Sequence, residues 1–313
     1  MTSDVPIFDE LPLLEPLGLR HAWNAFGPGD DLGTVNHLTP ERVVAAAGLV
    51  RTGQVFDLSW PLELPDPPLY GREPLRHEIY VQTRNDRDER LDSFFPQGSS
   101  QWDGLRHVRC REFGFYGGLT DEFEPGPGRL GIEHWADHGM VGRGVLLDVA
   151  HLFAEQGDPL DPHAARSITW EDLQATAEAQ RVDLRPGDIL CIRLGWAEAY
   201  EELDAPGRAR VAEEMSFPGL SAAESMARFL WDHQVAALAC DNPAVEVSPG
   251  DPAVGSLHRR LIPCLGMALG ELFRFGGLAA ACRADGRWDF LTVAVPLKVS
   301  GAVGSPANTV AIR

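Results

Sequence analysis

The 313-residue sequence has little positive charge. Its 27 lysines and arginines stand against 46 aspartates and glutamates, a formal charge of −19. So acidic a surface repels phosphate backbones and anionic bilayers, which removes nucleic acid and membrane from the expected partners and favours solubility. No apolar run approaches the ~18 residues of a membrane span. The opening stretch MTSDVPIFDELPLLEPLGLR is acidic and proline-rich, without the basic and apolar segments of a secretory signal, so a cytoplasmic location is expected. The five cysteines (Cys110, Cys191, Cys240, Cys264, Cys282) are scattered and form no CxxC pair, which argues against a disulfide framework and for buried, reduced thiols. Also missing are a GxSxG elbow, a P-loop, an HExxH helix and a glycine-rich dinucleotide turn. Serine-hydrolase, nucleotide-hydrolysing, zincin and dinucleotide-dependent mechanisms lose most of their support with them.

What is present is a globular profile, 44% hydrophobic and 23% charged. The length would suit about two domains, although α/β chains of this size also fold as one. TPERVVAAAGLVRTG predicts a helix capped by Thr39, with Pro40 in its first turn and Gly53 at its end. QVFDLSWPL and the alternating HEIYVQTRN read as strands around a Pro-rich loop at 63–76, with a charged turn at DRDER. VGRGVLLDVAHLF reads as a buried strand leading into a helix. TWEDLQATAEAQRV has Thr169 as N-cap and Asp172 at the reach-back position. LRPGDILCIRLGW and VAALACD read as buried strands, and SAAESMARFLWDHQ as a helix capped by Ser221. SLHRRLIPCLGMALGELF starts as a helix and passes through Pro263 and Gly266 to a short strand, and DFLTVAVPLKVSG closes with another. Strands alternate with helices after residue 140, and strand-rich sequence dominates before it. The pattern predicts one α/β domain with a mixed β-sheet flanked by helices over residues 37–313, preceded by an extended N-terminal arm or lid at 1–36.

Three places could carry chemistry. In SSQWDGLRH an extended chain puts Gln101 and Asp103 on one face, and His107 with them if the extension continues. A bland solvent-facing edge strand is the competing reading. In CDNPAVEV, Asp241 and Asn242 directly follow an apolar strand, where α/β proteins gather ligands, although an Asx turn explains them equally well. Glu271 ends an almost wholly apolar stretch and needs a partner if buried, while His258 opens the helix before it.

Together these motifs resemble the cyclase-like metal-dependent hydrolases, the superfamily that includes bacterial kynurenine formamidases, isatin hydrolases and trans-dienelactone hydrolases. DDLGTVNHLTPERV, SQWDGLRHV, IEHWADHGMVGRGVLLDVA, RPGDILCIRLGW, FPGLS, DNPAVEV, LHRRLIPCLGMALGE and GAVGSPANTVAI occur in that family's order. Better-known members carry His-x-Gly-Thr-His-x-Asp-x-Pro-x-His. Here Gln97 and Gln101 stand where the first two histidines would be, while Asp103, His107, His258 and Glu271 are kept. The sequence is similar to a branch with Gln-Trp-Asp at this point.

The resemblance implies a barrel-like mixed sheet of the swivelling β/α/β type and a metal-dependent hydrolysis of an amide or lactone bond in a small, possibly aromatic substrate, as in an arylformamidase. It implies one divalent ion, Zn²⁺ or Mn²⁺, held by Asp103, His258 and Glu271 with Gln101 as a further ligand, and His107 as the acid/base. Because glutamine offers only a neutral amide oxygen, a second ion is not expected. Trp23, Phe26, Phe94 and Trp102 are candidate walls of the substrate pocket, against a reading of each as core. The resemblance also favours a homodimer or homotetramer, with the arm covering either its own domain or a neighbour. A metal-free binding protein on the same scaffold, and a cyclase or dehydratase, are the rival readings.

Overall fold

The computed structural model describes residues 5–313. Its centre is a curled nine-stranded sheet. In chain order its strands are β1 (Val55–Asp57), β2 (Gln101–Asp103), β3 (Met140–Asp148), β4 (Ile189–Arg193), β5 (Ala237–Cys240), β6 (Ala268–Glu271), β7 (Asp289–Ala294), β8 (Gly304–Pro306) and β9 (Thr309–Ile312). Their order across the sheet is β8-β2-β6-β5-β4-β3-β7-β9-β1. The middle run β3-β4-β5-β6 is parallel and the flanks are antiparallel. This is the single mixed α/β domain expected from the alternation of strands and helices. Parallel strands covered on both faces have to be apolar throughout. Val145, Leu146, Leu147, Ile189, Leu190, Ile192, Leu238 and Leu269 are accordingly all fully buried, each contributing roughly 1.5–3 kcal/mol of transfer free energy.

Local signals set several boundaries. Thr39 caps the Pro40–Ala47 helix through Arg42 N. Thr169 and Asp172 form a reciprocal capping box on Trp170–Gln180. Others differ from the sequence reading. The first helix stops at Ala47, with Gly48 as its cap, because glycine is a poor helix former and the chain turns there. The charged segment DRDER lies mostly in a strand, Arg87–Asp92, paired antiparallel with Arg76–Val81. Cross-strand pairs such as Arg90–Glu78 at 2.7 Å make its charges strand-compatible. Ser221 caps no helix: Glu224–Asp232 begins after Ala223, and Ser221 Oγ accepts from Ala223 N in the turn before it. Helices at Glu133–His138, Trp196–Glu201, Ala205–Glu214 and Gly276–Asp285 add to those expected. All five cysteines are buried and unbridged.

The N-terminal arm packs on its own domain. Phe8 and Leu11 are buried. Phe8 N donates to Asp232 Oδ1 at 2.7 Å, and Trp231 Nε1 donates to Pro6 O at 2.8 Å. Gly33–His37 forms a 3₁₀ turn locked into the core, where Thr34 N donates to Gly266 O at 2.8 Å. Gly33 is obligatory here: its φ is +60°, and a Cβ would lie 1.9 Å from Gly266 O. That contact ties the arm to the segment just before β6.

His37 closes the same turn and is buried; burial, with the nearby Arg42 charge, holds its imidazole down to about 4 from 6.5. The unfolded chain therefore binds more protons than the folded one between these values, so stability falls as pH drops through this window. The loss by the low end is on the order of 3 kcal/mol. Denaturant titrations at pH 7, 5.5 and 4 should show a shallower decline for His37→Gln than for wild type, and parallel declines would exclude His37 as the acid-sensitive group.

Candidate metal site

The site sits where β2 meets β6. In the antiparallel register Gln101 lies opposite Glu271 and Asp103 opposite Leu269. Alternation sends Gln101 and Asp103 to one face and Trp102 to the other. Gly270 permits this packing, because a Cβ there would lie 3.0 Å from the Trp102 ring and 2.7 Å from Phe273. His258 comes from the helical segment Leu257–Arg259, which continues as a π-helix over Arg260–Leu265 around Pro263. One ligand atom from each of Asp103, His258 and Glu271 lies within 4.8 Å of the others.

Each group has a defined partner. His258 Nε2 faces Glu271 Oε1 at 3.0 Å and Asp103 Oδ2 at 3.7 Å. On the other side of the ring, Nδ1 meets Glu246 Oε1 at 2.8 Å. Glu246 is itself fixed by Leu257 N at 2.6 Å and Ser256 Oγ at 3.1 Å. Gln101 Nε2 donates to Glu271 Oε2 at 2.6 Å, and Gln97 Nε2 donates to Asp103 Oδ1. His107 Nε2 is 3.8 Å from Asp103 Oδ1, with a third of its side chain exposed. The strand ends at Asp103 and the chain turns from Gly104, with His107 N donating to Gly104 O. His107 thus reaches the site from a turn rather than from an extended strand.

Electrostatics follow from crowding carboxylates in a dry place. Burial raises the Asp103 carboxyl, but His107, His258 and Gln97 outweigh it and hold it below its ordinary value. Glu271 is pushed up to about 7 by burial and by the Asp103 charge, partly offset by His258. Burial disfavours a charged His258, yet its three carboxylate neighbours hold it well above the usual imidazole range. Two buried oxygens, Asp103 Oδ2 and Gln101 Oε1, have no hydrogen-bond partner among the described residues. Unpaired acceptors of this kind are costly. Two carboxylates, an imidazole and an amide oxygen are a donor set for a divalent cation, and the residues fit one.

The aromatic candidates are not brought together. Trp102 lies in the core, fully buried, its Nε1 donating to Ala307 O at 3.1 Å and its ring edge-on to Phe273. Trp23 is half-buried and donates to Pro263 O at 2.8 Å. Phe26 packs against His37 and Trp231. Phe94 lines a small pocket with Pro68, Arg72, Glu73 and Gly98, beside the segment bearing Gln97. Asp241 and Asn242 serve the framework. Asp241 accepts from Leu194 N and Gly195 N at 2.8 Å, and Asn242 Nδ2 donates to Pro218 O at 2.9 Å. Sequence reasoning missed two residues. Glu246 was within a quoted block, but nothing in its spacing links it to His258. Tyr70, with φ of +59°, donates its hydroxyl to Pro243 O at 3.0 Å. Half of the residue is exposed, but its hydroxyl end is screened from water, and this, with the Glu271, Asp103 and Glu246 charges, holds its phenol above the usual range.

Comparison with known proteins now fits this geometry. The Cyclase family model matches residues 56–247. A crystal structure described as a novel cyclase is 32% identical and superposes with a TM-score of 0.82, covering 94% of this chain and 99% of that one. The chain belongs to the Cyclase family. This bears out the resemblance read from the ordered motifs. Isatin hydrolase A from Labrenzia aggregata (15% identity, TM-score 0.58, 87% of this chain and 97% of that one) shares the fold. So does isatin hydrolase A from Ralstonia solanacearum (16%, 0.59, 88% and 98%). A search of curated proteins finds no sequence match.

Glu246 orients His258 as carboxylates orient metal-ligating imidazoles. Glu246→Ala should weaken divalent-metal affinity by about 10–100-fold without unfolding the chain, measured by chelator competition. Unchanged affinity would reduce Glu246 to a loop anchor.

Proposed function

We propose that this Cyclase-family protein is a metal-dependent hydrolase that opens an amide or lactone bond in a small substrate, using one Zn²⁺ or Mn²⁺ ion. The observation that carries this reading is the buried Asp103–His258–Glu271 group, with two orphaned oxygens beside it and a partly exposed histidine at its edge. The shared fold of the isatin hydrolases, whose name states hydrolysis, supports it.

Asp103, His258 and Glu271 would hold the ion, with the unpartnered Gln101 Oε1 as a further donor. When bound, the ion supplies Lewis-acid polarisation of the scissile carbonyl. Gln97 spends its amide N–H on Asp103 Oδ1 and so keeps Oδ2 free for ligation. His107 accepts a proton from the attacking water and returns it to the leaving group. Its ring is solvent-reachable, and the Asp103 carboxylate at 3.8 Å stabilises the imidazolium formed between the two transfers. In this reading Tyr70, and Phe94 from the pocket that Arg72 also lines, would meet the ring of an aromatic amide of the arylformamidase type.

His107→Ala should leave metal content intact and lower turnover by ~10²–10⁴-fold. The substrates to screen are N-formyl aromatics, cyclic imides and lactones. Loss of metal together with activity would make His107 a ligand and overturn its assignment.

We also propose a homodimer or homotetramer. The ribbon of Arg76–Val81 and Arg87–Asp92 is exposed along both strands, and one face carries Ile79, Val81 and Leu91, exposed by 64%, 66% and 42%. A lone two-stranded ribbon is marginal in water unless its apolar face is covered. Light scattering should give an oligomer for wild type and a monomer for Ile79→Asp/Val81→Asp. A monomeric wild type rejects the assembly.

A further inference from the structure

A second pocket lies apart from the metal group. It has a volume of about 280 Å³ and is lined by Pro16, Leu17, Ser256, Arg111, Arg259 and Arg260, among others. It lies between the N-terminal arm and the segment that carries His258. Its size is near the lower end for small-ligand sites.

Three arginines line it in a protein whose formal charge is −19. Arg260 is held in place: its Nε donates to Ala222 O at 2.9 Å and its Nη2 to Val254 O at 3.3 Å, while its nearest carboxylate, Glu224, stands at 4.0 Å. Arg259 differs. Its Nε is buried and has no hydrogen-bond acceptor. Among the described residues neither Arg259 nor Arg111 has a carboxylate within 4.0 Å. Glu246 is close in sequence to the pocket's Ser256, but it is committed to His258, Leu257 N and Ser256 Oγ. Like charges drawn together repel. An oxyanion in the pocket would relieve that repulsion, its paired oxygens matching the planar fork of a guanidinium. Pro16, Leu17 and Val254 give the rim an apolar side, which suits a short hydrocarbon body.

We propose that this pocket is a binding site for a small phosphate-bearing molecule, held by Arg111, Arg259 and Arg260. The site is distinct from the metal group and does not depend on the reaction assigned there.

Isothermal titration of the metal-loaded full chain tests it, with inorganic phosphate and butyl phosphate as probes and ionic strength fixed with chloride. Saturable binding of both is expected, with butyl phosphate the tighter. Arg259→Gln and Arg111→Gln should each weaken it by about tenfold or more. Arg111 is exposed, so its variant keeps the fold even if Arg259→Gln does not. An absence of saturable binding for either probe overturns the proposal. So does binding that survives unchanged in Arg111→Gln and in folded Arg259→Gln, because it would then reside at the metal group or at no fixed site.

Discussion

Two carboxylates, Asp103 and Glu271, are buried beside one another because β2 runs antiparallel to β6 in a register that leaves no alternative. At an effective dielectric of about 20, unit charges some 4 Å apart repel by roughly 4 kcal/mol. The fold must answer that repulsion locally, and much of the surrounding structure does so. His258 is set between them by the Ser256-capped turn and the π-helix that follows. Gln97 and Gln101 each give an amide N–H to one carboxylate. Glu246 fixes the far side of the imidazole. Gly270 lets Trp102 close the other face of the sheet against Phe273. Removing any one of these supports leaves a charge in a dry place with less to hold it.

The neighbouring strand ends show what a purely structural solution to the same problem looks like. Asp148 at the end of β3 is bonded to Arg193 at 2.8 Å and to Arg283. Arg193 at the end of β4 is shared with Glu198 at 3.1 Å. Asp241, just beyond β5, spends both oxygens on backbone N–H groups. Asp148 and Asp241 are satisfied within the protein, although Glu198 keeps a buried Oε2 without a partner among the described residues. Asp103 and Gln101 are not, since each keeps an oxygen without a donor. What sets Asp103 and Gln101 apart is where their unpartnered oxygens belong, in a group that also holds a second buried carboxylate and an imidazole.

The legibility of the sequence follows the same division. The buried strands β3, β4 and β5 were readable because a strand covered on both faces has to be a continuous apolar run. The Thr169–Asp172 capping box was readable because its chemistry lies within four residues. Asp103, His258 and Glu271 became a set only through the order of motifs, since no spacing rule joins residues 103 and 258. Glu246 and Tyr70 were hidden for the same reason: their partners are distant in sequence and are delivered by tertiary packing. The Arg87–Asp92 strand was misread because its alternating charges look like a turn until the opposite strand supplies their counter-charges. The Ser221 cap failed through a two-residue competition, in which the hydroxyl closes a turn on Ala223 instead of starting the helix.

The two glutamines fix how much charge the site can hold. An imidazole in either place would bring a strong ligand and could leave room for a second ion. A glutamine brings a donor, and here both donors are spent, one on Asp103 Oδ1 and one on Glu271 Oε2. The acceptors left over are Asp103 Oδ2 and Gln101 Oε1, beside the Glu271 oxygen that His258 faces. With His258 neutral, Asp103 and Glu271 together carry two negative charges, which balance one divalent ion. A second ion would need further anionic ligands, and the nearest carboxylate, Glu246, is already taken by Leu257 N, Ser256 Oγ and His258 Nδ1. Charge balance and donor count therefore favour the single ion proposed above, a reading that leaves the exposed edge of the site to His107.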